Sequence, residues 1–171
     1  MSGSSIVTGD QLANALRGLG VKFIMGGEGG DDSLRGQPAR LIAGLAESDE
    51  ARLRLSLIPL FLEHPEFDGH ARSVAKELGP AARLTLQCYY SAAVWLQQKN
   101  RLRLNALIGE KPSLPDHFWR ELDLQNTNDA EKNLRRLAQR HRALSGAQVN
   151  WLGTYQHAAQ VWIKGLELQH A

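Results

Sequence analysis

The stretch 80–108 constrains the fold more than any other part of the chain, because it contains no proline or glycine after its first residue and ends at Gly109. At about 1.5 Å per residue, it would form a helix of about 43 Å. Isolated helices are only marginally stable in water, so a helix of this length needs neighbours that pack against it. The sequence therefore predicts an all-α fold built around one long central helix.

Apolar residues recur along this stretch at helical spacing, which predicts a buried stripe on the central helix. The predicted stripe consists of Leu84, Cys88, Ala92, Trp95 and Leu102. Further helices are predicted before and after the central one along the chain. One of them extends to residue 63 and has a kink at Pro59. Another starts with a capping box formed by Asn128 and Glu131. We expect a bundle of about six to eight helices around the central one.

The N-terminal part has a different character. Residues 21–25 read as a strand or extended segment, and residues 26–32 are rich in glycine and acidic residues, which is typical of a flexible linker or exposed loop. We therefore divide the chain into a short irregular N-terminal segment, residues 1–36, and a helical bundle domain, residues 37–171.

Composition limits the possible functions. The formal net charge of the 171 residues is +2, which is too small to imply nucleic-acid binding by itself. The single cysteine, Cys88, excludes an intrachain disulfide and a cysteine-rich zinc site, and it fits a reducing cytoplasm. Neither a secretory signal nor an apolar run of membrane-spanning length is visible, so we expect a cytoplasmic protein without a membrane partner.

The chain shows no cofactor or metal motif. The glycine-rich residues 26–30 lack the Gly-Lys-Ser/Thr ending of a phosphate loop, and no pair of histidines has the i, i+4 spacing with an acid that a helical zinc site needs. We predict neither a cofactor nor a metal ion.

A basic cluster is the predicted binding site. Its members are Lys132, Arg135, Arg136, Arg140 and Arg142. Arginine suits acidic ligands because its planar fork donates two hydrogen bonds at once. The cluster is compatible with a solvated helix face, a protein partner or a nucleic acid. Aromatic residues at Phe118, Trp119 and Trp162 favour the protein partner, because interfaces are enriched in such side chains.

Part of this cluster also resembles a catalytic signature. The sequence from Arg136 to His141 is similar to the motif of HEPN-type helical ribonucleases, in which arginine and histidine act on the phosphodiester and the attacking 2′-hydroxyl. The resemblance implies Arg136 and His141 as an alternative catalytic pair. Leu137 departs from the motif, and on an ideal helix residues i and i+5 are about 140° apart. We therefore predict no catalytic residue, with a HEPN-like ribonuclease or a nucleic-acid-binding regulator as the alternatives.

A broader resemblance covers about the last two thirds of the chain. Residues 89–97 with 112–124, and residues 150–155, are similar to uncharacterised all-helical bacterial proteins that are associated with small nucleotidyltransferases. This resemblance implies a protein partner and possible membership of a toxin–antitoxin pair. It assigns no functional residue. The expected function is a non-catalytic protein-interaction module.

Overall fold

The computed structural model describes residues 7–21, 23 and 33–169. Two short 3-10 turns, Ser33–Gly36 and Pro65–Phe67, join α-helices. The helices are α1 (Gly9–Gly18), α2 (Pro38–Glu47), α3 (Ala51–Leu55), α4 (Leu57–Glu63), α5 (Asp68–Glu77), α6 (Pro80–Lys99), α7 (Arg101–Ile108), α8 (Ala130–Ser145) and α9 (Trp151–Gln169). The described residues contain no strand, so the predicted all-α fold class is confirmed. The predicted loop 26–32 and most of the predicted segment 21–25 lie outside the described residues.

Helix α6 lies at the centre of the bundle and packs against α8 and α4. Its residues from Cys88 to Gln97 are all buried, and the Trp95 side chain has no exposed surface. Tyr90 meets the edge of Phe61 from α4, with ring centroids 4.9 Å apart, a geometry that aromatic pairs favour. The predicted stripe is therefore confirmed for Cys88, Ala92 and Trp95.

The predicted continuous helix 80–108 is wrong, because it breaks at Asn100. Asn100 has φ −107° and ψ 19°, and its side-chain Nδ2 donates to the Leu96 carbonyl at 2.9 Å. Asparagine side chains compete for backbone groups in this way and interrupt helices. The break redirects α7, so Leu102 is 88% exposed, against its predicted place in the stripe, and Leu104 is buried instead.

Two other helix boundaries differ from the sequence prediction. The interruption expected at Pro59 falls at Ser56, because the proline ring removes the bond to the carbonyl four residues earlier and crowds it. The predicted capping box of Asn128 and Glu131 is wrong. Asp129 is the N-cap of α8 and accepts from the Lys132 backbone N–H at 3.2 Å, whereas Glu131 pairs with Lys99 at 2.6 Å.

The described part of residues 1–36 packs on the rest of the bundle. Thr8 caps α1, because its hydroxyl accepts from the Gln11 N–H at 3.2 Å while the Gln11 side chain accepts from the Thr8 N–H at 2.9 Å. Leu12, Leu16 and Val21 belong to the same buried cluster as the core of the bundle. The domain boundary at residue 36 stays a prediction.

Candidate anion-binding groove

A single helical turn between Phe118 and Leu122 forms one wall of the candidate site. The Leu124 N–H donates to the Trp119 carbonyl at 2.8 Å, and the Asp123 N–H donates to the Arg120 carbonyl at 3.0 Å. This pair of bonds is the Schellman helix ending, whose left-handed position is usually a glycine. Here Asp123 occupies it with φ 57°. Phe118 and Leu122 are buried, which fixes the turn to the core.

Helix α8 forms the opposite wall. Its apolar face, which includes Leu134 and Leu137, is buried against the bundle, while Arg136 and Arg140 are only partly buried. The Arg140 Nε donates to the Leu122 carbonyl at 2.9 Å and so joins α8 to the turn. The groove between the two walls has a volume of about 690 Å³. Its lining consists of Trp119, Arg120, Asp123, Leu124, Gln125, Arg136, Gln139, Arg140 and Ala143.

Positive charge dominates the lining of this groove, which holds three arginines and one carboxylate, that of Asp123. The guanidinium of Arg120 lies 5.3 Å from the ring centroid of Trp119, a cation–π contact that orients it. The Arg136 side chain has no hydrogen bond or ion pair with any described residue. The groove therefore presents guanidinium donors with unused capacity for an anion.

The structure divides the predicted basic cluster between two sides of α8. Arg136 and Arg140 line the groove, and Lys132 is exposed near the start of the helix. Arg135 and Arg142 line a separate pocket on the other side. The five predicted residues are therefore divided between an exposed position and two cavities that share Gln139.

His141 does not share the groove with Arg136. The His141 side chain is 3% exposed, and its Nδ1 lies 2.5 Å from the Tyr155 hydroxyl. Its ring stacks on Trp151 with centroids 3.6 Å apart. Burial lowers the pKa of His141 to about 4, so the imidazole is neutral at pH 7. The pair suggested by the HEPN resemblance is thus split between the core and the groove.

Two of the three aromatic residues proposed for an interface are in the core. Phe118 is 3% exposed and Trp162 is 2% exposed, and the Trp162 Nε1 donates to Glu63 at 2.9 Å. Only Trp119 lines the groove. Arg120 is not among the binding residues predicted from the sequence, because it lies outside the helix that carries the basic cluster. The feature of the sequence that could have indicated Arg120 as a binding residue is the neighbouring Trp119, because a guanidinium group stacks favourably on an indole ring.

The remaining observations do not assign a function. Within the described residues, no three histidine, cysteine or acidic side chains are placed to hold a metal ion. No helix in that part of the chain is long and apolar enough to cross a bilayer. Comparisons with protein-family models, with curated proteins and with solved structures found no match to this chain. The functional inference therefore rests on the groove itself.

Proposed function

We propose that this protein is a non-catalytic interaction module whose groove binds an acidic segment of a partner protein. The observation that supports this most directly is the convergence of Arg120, Arg136 and Arg140 from two different elements onto one groove. Sequence position alone does not place these residues together. The fold does so through the Arg140 bond to the Leu122 carbonyl.

The arginines are partly pre-oriented for binding. Arg120 rests on Trp119, and one donor of Arg140 is already bonded to the turn, so their side chains lose less conformational freedom when a ligand arrives. Arg136 keeps its full set of donors. Hydrogen bonds between guanidinium and carboxylate are charge-assisted and are about twice as strong as neutral ones.

A peptide suits this groove better than a nucleic acid. The Gln125 and Gln139 amides in the lining both donate and accept, which matches the N–H and C=O groups of a peptide backbone. Nucleic-acid sites are usually extended basic surfaces, whereas this chain has a formal net charge of +2 and the groove contains Asp123. The location of His141 in the core further supports a binding role over a ribonuclease role.

The proposed class of partner rests on the resemblance to helical proteins that are associated with small nucleotidyltransferases. The stretch 112–124 that contributes to it includes the turn with Trp119 and Arg120. We therefore name a small nucleotidyltransferase as the partner class, with this chain as its regulatory or antitoxin-like subunit. The acidic segment that enters the groove would belong to that enzyme.

The experiment compares two anionic probes of equal formal charge, a labelled oligoglutamate peptide and a labelled oligouridylate, by fluorescence anisotropy. The test variant is Arg120→Glu with Arg136→Glu. The control variant, Lys76→Glu with Lys164→Glu, makes the same charge change at exposed positions of α5 and α9. We expect the test variant to bind the peptide at least about tenfold more weakly than the parent, because it loses charge-assisted bonds.

The control variant should keep most of its peptide affinity, and the oligouridylate should bind more weakly than the peptide and remain uncleaved. An equal loss in both variants would mean that net charge alone attracts the peptide. Tighter binding of the oligouridylate, with the steep salt dependence that counterion release causes, would favour a nucleic-acid ligand instead.

A further inference from the structure

A second pocket opens on the other side of α8, where this helix meets the start of α9. Its volume is about 450 Å³, which is within the range of small-molecule sites, about 300–1,000 Å³. The lining consists of Arg135, Ala138, Gln139, Arg142, Gln148, Val149, Asn150, Trp151 and Leu152. Gln139 is the only residue that it shares with the groove.

The turn between the two helices is fixed at both ends. Gly146 ends α8 in the left-handed conformation with φ 70°, a conformation that glycine adopts without steric cost. Asn150 caps the beginning of α9, because its side-chain Oδ1 accepts from the Gly153 N–H at 3.0 Å. The pocket is therefore formed before any ligand binds.

One wall of this pocket is apolar and rigid. The indole of Trp151 is nearly parallel to the buried His141 ring, at 13° and with centroids 3.6 Å apart, which holds it in one orientation. Ala138, Val149 and Leu152 extend the apolar surface, and Val149 is 39% exposed. The Trp151 Nε1 is buried and has no hydrogen-bond partner among the described residues. The indole therefore contributes an apolar ring face, and not its N–H group, to the accessible wall of the pocket.

The opposite side of the pocket is cationic. The Arg142 guanidinium donates to the Gln148 side-chain oxygen, which positions it. Arg135 forms an exposed ion pair with Glu131 on the preceding turn, with its Nε 3.8 Å from the carboxylate, which is too long for a hydrogen bond and of a kind that contributes little. No carboxylate is among the lining residues. Two guanidinium groups therefore face a space that has an apolar wall.

We infer that this pocket binds a small amphiphilic monocarboxylate. Its carboxylate would pair with Arg142 and Arg135, and its apolar body would lie against Trp151, Val149 and Leu152. Burial of the apolar body supplies free energy in proportion to its area, and the charge pairing selects the anion over the neutral analogue. This site is independent of the proposed function, which uses the groove on the other side of α8.

Octanoate, octanol and acetate form a matched set of probes for this inference. Binding is followed by the indole N–H signal of Trp151 in ¹H–¹⁵N spectra, which the variant Trp151→Phe identifies. We expect octanoate to shift this signal to saturation with a dissociation constant of about 1 mM or below. Octanol lacks the charge and acetate lacks the apolar body, so each should bind at least about tenfold more weakly.

Variants then test the assigned contacts. Arg142→Met should weaken octanoate binding at least about tenfold and leave octanol unaffected, since it removes only the charge partner. Arg136→Met, in the groove, is the control and should not change octanoate binding. Equal affinity for octanoate and octanol, full affinity in the Arg142 variant, or no saturable shift with octanoate would each overturn the inference.

Discussion

At the residue scale, burial decides which polar side chains are chemically available. Burial lowers the pKa of His141 to about 4 and raises the pKa of the Cys88 thiol to about 12. At neutral pH the thiol is protonated, and the buried imidazole is unprotonated but only a weak base, so neither is an activated nucleophile or base. The Arg120 and Arg136 guanidinium groups lie in a solvent-accessible groove. The available chemistry of the candidate site is therefore ionic recognition.

The buried imidazole makes stability depend on pH in a defined window. Because the pKa of His141 is about 4 in the folded state against an ordinary 6.5, the unfolded state binds more protons between these values. The free energy of unfolding should therefore be highest above pH 6.5 and fall towards pH 4. The loss from this group is at most about 3 kcal/mol. Urea denaturation across this pH range measures it.

The variant His141→Phe should lose most of this slope between pH 6.5 and 4. His157→Gln, at an exposed position of α9, is the control and should keep it. Carboxylates contribute equally to the pH dependence of the unfolding free energy in the parent protein and in both variants, so their contribution cancels when the slopes are compared. An unchanged slope in the His141 variant would mean that folding does not lower the pKa of this imidazole.

Substitutions at Trp95 and Leu102 test where the core ends along the 80–108 stretch. The sequence predicts that both residues are buried, whereas in the structure only Trp95 is buried. Trp95 is fully buried, so Trp95→Ala should lower the free energy of unfolding by about 3–5 kcal/mol. Leu102 is 88% exposed, so Leu102→Ala should change it by no more than about 0.5 kcal/mol. Similar losses in both variants, measured by chemical denaturation, would mean that the helix continues past Asn100.

At the element scale, local hydrogen bonds decide boundaries that periodicity does not reveal. The apolar pattern of 80–108 is compatible with one helix, yet the bond from Asn100 to the Leu96 carbonyl ends α6. The sequence predicts Asn128 as the N-cap of α8, whereas the backbone geometry selects Asp129. Helix existence was therefore predictable from sequence, and so were ends marked by proline or glycine, such as Pro80 and Gly109, whereas the break at Asn100 and the cap at Asp129 were not.

The start of α8 allows a direct test of its cap. Asp129→Ala should lower the free energy of unfolding by about 1 kcal/mol, because the Lys132 N–H loses its acceptor. Asn128→Ala should have almost no effect, since Asn128 makes no capping bond to this helix. Thermal or urea denaturation distinguishes them, and a larger loss in the Asn128 variant would restore the cap expected from sequence.

The turn that carries Trp119 has a strained position, Asp123, whose side chain also lines the groove. Asp123 adopts φ 57°, which costs less for glycine than for other residues. Asp123→Gly should raise the free energy of unfolding by up to about 1 kcal/mol and should strengthen binding of the oligoglutamate peptide, because it removes the only carboxylate of the groove.

Asp123→Ala is the matched variant, since it removes the charge and keeps the strain. It should strengthen peptide binding without the gain in stability. Weaker peptide binding in both variants would mean that Asp123 contacts the ligand as an acceptor.

At the scale of the whole molecule, the sequence predicted the all-α bundle and part of the groove. Arg136 and Arg140 belong to the basic cluster found from sequence, since they share one helix. Arg120 joins them only because Phe118 and Leu122 fix the neighbouring turn to the core. Contacts between segments so far apart along the chain depend on tertiary packing, and no local pattern encodes them.

The most direct test of the central claim is to locate the bound acidic peptide on the folded protein. Titration with unlabelled oligoglutamate, followed by ¹H–¹⁵N spectra, reports on the tryptophan indole and arginine Nε–H groups. We expect the signals of Trp119, Arg120, Arg136 and Arg140 to shift together, at one peptide concentration, while those of the buried Trp95 and Trp162 stay fixed. Saturable shifts elsewhere, with the groove signals unmoved, would contradict the proposed function.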